Sequence, residues 1–268
     1  MSQRSEAAPV KRGHLPVNGL QMYYEVHGAG AGVPLVLLHG GGSTIDSTYG
    51  RVLPYFAQHR RVIAVEEQAH GRTSDRDAPE RFESSADDVA ALLAQLGVTS
   101  ADVMGFSNGA SVALQVALRH RGLVRRLVFA SSMTKRAGTA AAFWDGIAHA
   151  TFEDMPQPLK DAFLQVTPDP QKLRQMYERD IERMRSFRDV PDAEVASVKV
   201  PVLIVAGDRD VPTVEHVVEL TRLWPQARLL VLPGGHGDYL GEVLASHGAS
   251  RAAELTAWLI EQFLDAAA

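Results

Sequence analysis

A serine in a glycine-flanked pentapeptide is the clearest sign of chemistry in this sequence. The segment Gly105-Phe106-Ser107-Asn108-Gly109 fits the pattern G-x-S-x-G and lies between a strand-like run and a helix-like run. A tight turn here would put the serine in a strained backbone conformation, and small flanking residues would keep neighbouring backbone from colliding. The hydroxyl of Ser107 would then share the carboxyl edge of the sheet with the helix N-terminus. We therefore take Ser107 as a candidate nucleophile, with an ordinary helix-start turn as the alternative.

A serine hydroxyl needs a base that removes its proton, and the candidate base is His236. It lies in Leu232-Pro233-Gly234-Gly235-His236-Gly237, which follows the last strand-like run of the chain. In a doubly wound sheet this loop opens at the same edge as the serine turn. Glycines on both sides let the imidazole project freely. The alternative is a loop histidine with no part in catalysis.

The base in turn needs an acid that fixes its tautomer and stabilises the imidazolium. The segment Gly207-Asp208-Arg209-Asp210 follows another strand-like run and offers two aspartates. Asp208 comes directly after the glycine and is suited to capping the turn. Asp210 lies deeper in the loop, and we favour it as the acid. The order Ser107, Asp210, His236 matches that of one class of hydrolase and excludes two unrelated protease orders.

A glycine-rich loop could supply the site that binds an oxyanion. His39-Gly40-Gly41-Gly42 follows a strand-like run, and glycines let backbone N–H groups approach a ligand closely. The expected donors are the amide of Gly41, or alternatively Gly42, together with the amide of Asn108. A phosphate cradle is the other interpretation, but the sequence contains neither G-x-G-x-x-G nor G-x-x-x-x-G-K-[ST]. His39 is expected to be a structural hydrogen-bonding residue rather than a second base.

The elements that must position these residues follow an alternating rhythm of short apolar runs and helical patterns. This rhythm predicts an α/β fold with a mostly parallel, doubly wound sheet. A hairpin is predicted at Asn18-Gly19, between Leu15–Val17 and Gln21–Val26. The other strands are predicted at Pro34–His39, Arg61–Val65, Asp102–Phe106, Arg126–Ser131, Val202–Ala206 and Arg228–Leu232. The main helices are predicted at Ser85–Leu96, Gly109–Arg119, Val214–Leu223 and Ser250–Leu264.

One segment interrupts this rhythm. Residues 134–197 contain helical pieces punctuated by prolines and no buried-strand pattern, which is too long for a connection and predicts a helical cap over the sheet edge. We expect residues 15–133 and 198–268 to form the core, and residues 1–14 to form a flexible N-terminal tail. Gly42, Phe143, Trp144 and Tyr239 are the expected substrate-binding residues. The charged stretch Lys172–Arg188 is interpreted as a solvated helix face.

Composition excludes several other classes of function. The chain has 268 residues, 46% of them apolar, and a formal charge of −5. The acidic balance argues against nucleic acid or an anionic membrane as a partner. No cysteine is present, which removes disulfides and thiolate chemistry. We found no metal-ligand motif and expect no metal and no cofactor. The polar N-terminus does not read as a signal peptide, so we expect a cytoplasmic monomer or homodimer acting on a small molecule.

The four motifs, taken in this order, resemble the α/β-hydrolase superfamily, in particular its compact members with a helical cap. The resemblance covers residues 15–264 and implies that Ser107 is the nucleophile, Asp210 the acid, His236 the base, and Gly41 and Asn108 the oxyanion donors. The sequence departs from the common pattern at Glu66-Glu67-Gln68-Ala69-His70-Gly71-Arg72-Thr73, where Asp-x-x-Gly-His-Gly-x-Ser is usual. The extra bulk and charge could alter the floor of the site, and we expect solvated rather than catalytic carboxylates here. The side chain of Asn108, where Met or Gln is usual, could supply an additional donor.

The activity predicted from these residues is hydrolysis of a small or medium carboxylic ester through an acyl-enzyme. Ser107 occupies the turn where some related enzymes carry an aspartate that attacks an sp³ carbon, so that type of reaction is not expected here. The same residues suit a lactone, the carbon–carbon bond of a β-diketone, or perhydrolysis. A non-catalytic, receptor-like binding protein is the alternative from another class.

Overall fold

The computed structural model describes residues 11–245 and 251–266, and within these ranges eight strands form one sheet. The strands are β1 (Lys11–Val17), β2 (Leu20–His27), β3 (Leu35–Leu38), β4 (Val62–Val65), β5 (Ala101–Phe106), β6 (Val124–Ala130), β7 (Val202–Gly207) and β8 (Ala227–Leu232). The strand order is β1-β2-β4-β3-β5-β6-β7-β8, with parallel pairing from β4 to β8 and antiparallel pairing among β1, β2 and β4. This confirms the predicted α/β fold.

The N-terminal hairpin is longer than the sequence indicated. Asn18 and Gly19 adopt φ values of 47° and 86°, as a two-residue hairpin turn of this type requires. The turn sets a register in which Lys11 pairs with Val26 and His14 with Tyr23. Residues 11–14 therefore belong to the sheet rather than to the expected tail, because β2 satisfies their backbone groups. Residues 1–10 of that tail lie outside the described residues.

Helices cover both faces of the sheet and give it two apolar cores. The helices are α1 (Ile45–Tyr49), α2 (Leu53–His59), α3 (Phe82–Gln95), α4 (Asn108–Arg119), α5 (Ala141–His149), α6 (Gln157–Val166), α7 (Pro170–Arg185), α8 (Asp192–Val195), α9 (Val214–Leu223) and α10 (Ala252–Asp265). Along β3, Val36 and Leu38 face one core with α3, α4 and α9, whereas Leu35 and Leu37 face the other with α1, α2 and α10. This alternation follows from the two-residue period of a strand.

The α10 helix was expected to begin at Ser250, a residue that lies outside the described part of the chain, as do the rest of 246–250 and residues 267–268. None of the helices in the described ranges combines the length and apolarity needed to cross a membrane.

Residues 134–197, which were expected to form a cap, are called the cap segment below. They contain helices α5 to α8 and two short 3₁₀ turns, between β6 and β7. Pro170 begins α7, and the Asp169 side chain caps that helix by accepting the N–H groups of Gln171 and Lys172. On α7 the interpretation of a solvated face is wrong in part. Leu173, Met176 and Met184 are buried, and Arg183 is only 2% exposed.

Candidate active site

The turn after β5 holds Ser107 in a backbone conformation that few residues adopt. Its φ and ψ are 55° and −122°, and α4 begins at the next residue. A methyl group on Gly105 would lie 2.0 Å from the carbonyl oxygen of Gly109, and one on Gly109 would lie 2.2 Å from that of Leu38. The two glycines of the motif are therefore required by close backbone approach, as the pattern predicted.

Asp210 and His236 are joined across the loops that follow β7 and β8. His236 Nδ1 lies 2.6 Å from Asp210 Oδ1. An ionised aspartate can only accept, so the imidazole donates from Nδ1 and its Nε2 lone pair remains available as a base. The other candidate acid, Asp208, instead accepts the backbone N–H of Gly234 at 2.9 Å. Asp208 thus ties the loop after β7 to the loop after β8 instead of capping its own turn as expected; the N–H groups of that turn at Gly207 and Val211 go to Asp210.

Several donors converge on the Asp210 carboxylate. The Ser131 hydroxyl donates to Oδ2, and the backbone N–H groups of Gly207 and Val211 donate at 2.9 and 2.7 Å. Burial by itself would raise the pKa of Asp210, but the hydrogen bonds from His236, Ser131 and Gly207 lower it below its usual range. Asp210 is therefore held ionised and oriented toward the imidazole.

The serine turn and the histidine loop are neighbours through Phe106. The ring of Phe106, the residue before the serine, lies 4.7 Å from the His236 ring, centroid to centroid. Within the described residues, no hydrogen bond joins the Ser107 hydroxyl to the imidazole. Hydrogen bonds of this kind are often long in a free enzyme and tighten when substrate binds. The His236 side chain is 31% exposed, so this imidazole is open to solvent.

Two backbone N–H groups beside Ser107 are suited to an oxyanion. Asn108 begins α4, so its N–H has no partner within the helix. The N–H of Gly42 donates to His70 Nε2 at 3.2 Å and is therefore occupied. In the described part of the chain no hydrogen bond engages the N–H of Gly41. The sequence left open whether Gly41 or Gly42 is the second oxyanion donor, and these hydrogen bonds favour Gly41.

His39 and His70 hold the loops after β3 and β4 together. Each donates from Nδ1 to a backbone carbonyl, His39 to Gly40 and His70 to Gln68. Each also accepts a backbone N–H from the other loop at Nε2. Burial lowers the pKa of His39 to about 4 and also lowers that of His70, so both are neutral near pH 7. The expectation that His39 has a structural role agrees with these contacts.

The expectation that the extra carboxylates after β4 are solvated is wrong. Glu66 and Glu67 are 0% and 1% exposed. Glu66 accepts the backbone N–H of Arg72 at 2.6 Å, and burial raises its pKa to about 7. Glu67 lies 2.7 Å from Arg183 Nη1 of α7. Glu66 is covered by contacts with Ile45 and Arg72 and Glu67 by Arg183 of α7, and the local sequence cannot reveal this burial.

Arg183 is the centre of an ion-pair network between the cap segment and the core. Its guanidinium donates to Glu67 at 2.7 Å, to Glu80 at 2.9 Å and to Asp180 Oδ1 at 2.6 Å. Asp180 Oδ1 also accepts from the side-chain amide of Asn108 at 2.9 Å. The additional donor noted at Asn108 is thus used to join the serine turn to α7.

The carboxylates of this network also form a cluster with a histidine. Ligand atoms of His70, Glu80 and Asp180 lie within 4.8 Å of one another. A guanidinium already supplies the positive charge between the two carboxylates, so we assign the cluster to the ion-pair network rather than to a metal.

A cavity of about 200 Å³ opens beside Gly41 and Gly42, under the cap segment. Gly42 is the one expected substrate-binding residue that lines it. The walls of the cavity are formed by residues from both parts of the chain: Gly41, Gly42, Ala150, Thr151, Asp154, Met155, Pro156, Leu159, Tyr177 and Asp180.

The other three expected substrate-binding residues lie elsewhere. Trp144 is 8% exposed and packs with Phe187, and its ring N–H donates to the Arg136 carbonyl at 2.8 Å. Phe143 packs edge-on against Trp144. Tyr239 is 1% exposed, and its hydroxyl lies 2.6 Å from Ser131 Oγ. Trp144 and Tyr239 are buried and Phe143 is half-buried, and none of the three lines the cavity.

Sequence reasoning missed the residues that support the candidate site. Ser131 had a usable signal, because it directly follows a buried strand and its side chain therefore lies at the same sheet edge. The contacts that give His70 and Asp180 their place in the site, to Gly42 and to Asn108, join residues 28 and 72 positions apart, so local patterns could not indicate them.

A model of the alpha/beta hydrolase fold family matches residues 33–192, and the chain belongs to that family. The resemblance drawn from the motifs is thereby confirmed. A 2-hydroxymuconate semialdehyde hydrolase from Pseudomonas sp. (strain CF600) is 34% identical over 126 residues, which are 46% of this chain and 43% of that protein. The chain matches less than two thirds of the length of this and other curated relatives.

Solved structures are similar over nearly the whole chain. An enol-lactonase from Burkholderia xenovorans LB400 has a TM-score of 0.73 at 20% identity, and the superposition covers 94% of this chain and 100% of the lactonase chain. A thermophilic esterase from Thermogutta terrifontis has a TM-score of 0.73 at 19% identity, with 95% of this chain and 98% of the esterase chain covered. At these identities the likeness shows the fold.

Proposed function

We propose that this protein is a serine hydrolase that cleaves a carboxylic ester through an acyl-enzyme. The observation that carries the proposal is the Asp210–His236 hydrogen bond of 2.6 Å beside the strained turn at Ser107. An oriented imidazole in a loop beside a serine held at the turn of a sheet edge is the arrangement that nucleophilic acyl transfer requires.

The proposed reaction has two halves. His236 Nε2 takes the proton of Ser107 as its oxygen attacks the ester carbonyl, and the oxyanion accepts N–H groups from Gly41 and Asn108. Collapse of the tetrahedral intermediate breaks the bond to the alkoxide, which His236 protonates. Water, deprotonated by His236, then attacks the acyl-enzyme, and the imidazolium returns this proton to the Ser107 oxygen as the acyl–oxygen bond breaks and the acid leaves. Loss of one oxyanion donor would cost about 3–4 kcal/mol at the barrier.

The cavity supports an ester without a carboxylate group over an anionic substrate. No lysine, arginine or histidine lines it within the described residues. The nearby guanidinium of Arg183 is already paired with Glu67, Glu80 and Asp180. Met155, Leu159 and Tyr177 provide apolar walls that suit a small or medium acyl or alcohol group.

Cleavage of a carbon–carbon bond is a second candidate. The relative from Pseudomonas sp. (strain CF600) is named a 2-hydroxymuconate semialdehyde hydrolase and is 34% identical over 126 residues. A ketone carbonyl would be attacked at the same place, with a carbanion in place of the alkoxide as leaving group. The same site also suits a lactone, as in the enol-lactonase of similar fold.

A substrate panel tests the proposal. Ethyl and phenyl esters, a lactone, an amide and a β-diketone are assayed with the wild type, Ser107→Ala and Ser111→Ala, the last a serine one turn further along α4. We expect ester hydrolysis by the wild type and Ser111→Ala, and at least a thousandfold loss of kcat in Ser107→Ala, on the order of triad removal. Full activity in Ser107→Ala would refute the assignment, and diketone cleavage alone would select the second candidate.

A further inference from the structure

Asp180 presents an open carboxylate oxygen to the cavity. Its Oδ1 accepts from Asn108 and Arg183. No hydrogen bond reaches its Oδ2 from the residues that the structure describes, and the side chain is 17% exposed. A methyl group on Gly41 would lie 2.5 Å from this Oδ2, so the oxygen lies beside the candidate oxyanion donor. A ligand in the cavity would therefore meet Asp180 next to its scissile group.

The charges around this oxygen leave the cavity negative. Glu67 and Asp180 share the single positive charge of Arg183, and burial raises the pKa of Glu80 well above its usual range, which favours its neutral form. His70, whose Nε2 lies 3.9 Å from Asp180 Oδ1, is kept neutral by burial, which lowers its pKa. Asp154 also lines the cavity and adds a second carboxylate, held on Thr151.

A carboxylate so close to Gly41 repels a developing oxyanion. A positive group on the substrate, placed between the two, would offset this repulsion and would bind the open oxygen of Asp180. A neutral substrate would leave the repulsion between Asp180 and the oxyanion uncompensated, and an anionic substrate would add to that repulsion. The geometry thus favours a substrate with a positive charge.

We propose that Asp180 is a specificity-determining residue that binds an ammonium group of the substrate, so that this site prefers cationic esters to neutral esters of the same shape. The proposal rests on the proposed function for its kinetic test. It assigns Asp180 a contact with substrate in addition to its bonds to Asn108 and Arg183.

Two pairs of isosteric esters test the preference. Ethyl 3-aminopropanoate against ethyl butanoate places the charge on the acyl side, and butanoylcholine against 3,3-dimethylbutyl butanoate places it on the alcohol side. The wild type should prefer the cation by about tenfold in kcat/KM in one of the pairs, the size of one attractive contact between opposite charges, which the amino ester makes through an N–H and the choline ester without one. Asp180→Asn keeps an acceptor for Asn108 and Arg183 but removes the charge, and should bring that ratio close to one.

The matched control is Glu178→Gln, which removes an equal charge from the exposed side of the same helix. It should keep the wild-type ratio. Each ratio is taken within one enzyme preparation, so partial loss of folded protein leaves it unchanged. A ratio near one in the wild type for both pairs, or a ratio that Asp180→Asn retains, would overturn the proposal.

A binding measurement separates this proposal from the hydrolase assignment. Calorimetric titration of the same esters into Ser107→Ala requires no turnover. Tighter binding of one cation than of its neutral isostere, lost in Ser107→Ala/Asp180→Asn, supports the role of Asp180 even if no ester is hydrolysed. Equal binding of cation and isostere contradicts it even if ester hydrolysis is found.

Discussion

His39 and His70 each accept a backbone N–H from the other's loop. His39 Nε2 accepts from Glu67 at 3.1 Å, and His70 Nε2 accepts from Gly42 at 3.2 Å. The two rings lie 5.0 Å apart, centroid to centroid, in the interior. This reciprocal pair fixes the glycine loop beside Ser107 and turns one of its two candidate amides away from the site.

The first prediction concerns the acceptor that His70 provides. His70→Ala leaves the N–H of Gly42 unpaired in the interior, which should cost about 1–3 kcal/mol of unfolding free energy and lower kcat by loosening the loop. His70→Gln places an acceptor near the position of Nε2 and should restore much of both quantities. Urea unfolding and ester kinetics measure the effects. Equal behaviour of the two variants would show that the hydrogen bond to Gly42 contributes little.

The second prediction separates the two aspartates after β7. Asp210→Asn removes the charge that stabilises the imidazolium and should reduce kcat by roughly 10⁴-fold. Asp208→Asn weakens one bond to Gly234 and should cost about 1 kcal/mol of stability, with kcat near that of the wild type. Steady-state kinetics of both variants decide the matter. A greater loss in Asp208→Asn would move the role of acid to Asp208.

The third prediction concerns the chain from Tyr239 through Ser131 to Asp210. Because the Ser131 hydroxyl donates to Asp210, it accepts from Tyr239. Ser131→Ala should lower kcat by about tenfold, the worth of one hydrogen bond to a charge, and Tyr239→Phe should lower it less. The double variant should resemble Ser131→Ala, since Tyr239 acts through Ser131. Additive effects on log kcat would indicate that the two side chains act separately.

The fourth prediction is a pH dependence that arises from Glu66. Its folded-state pKa of about 7 exceeds its ordinary value of 4.5, so its contribution to stability is complete below pH 4.5 and is lost as the pH rises through 7. Glu66→Gln removes this loss. Relative to the wild type, the free energy of unfolding of Glu66→Gln should rise by up to about 3 kcal/mol between pH 5 and pH 8.

Urea unfolding at the two pH values measures this difference, and Glu83→Gln, at an exposed position on α3, is the control. His39 acts in the opposite direction, because its pKa is lowered from 6.5 to about 4 and its contribution is lost as the pH falls. Comparison between variants removes the His39 contribution, since all of them retain it. A difference between Glu66→Gln and wild type that does not change with pH would count against the buried, raised Glu66.

Much of the fold was predictable from local patterns. Each predicted strand overlaps an observed one, because a strand buried on both faces is an apolar run bounded by turn residues. The edge strand β8 departs from this, with Val231 37% exposed, since it has a neighbour on one side only. The close backbone approach at Gly105 and Gly109 was also encoded locally, in five consecutive residues.

The sequence by itself determined the strand–turn–helix at Ser107 and the loops that carry Gly41, Asp210 and His236, because parallel strands bring their carboxyl ends to one edge. Only the tertiary structure decided which aspartate meets the imidazole, that His70 occupies the Gly42 amide, and that Asp180 of α7 reaches Asn108. It also decided that Trp144 and Tyr239 turn inward. The local periodicity of the sequence indicates which face of a helix or strand is buried. Which side chains lie against that face depends on how elements far apart in the chain pack together.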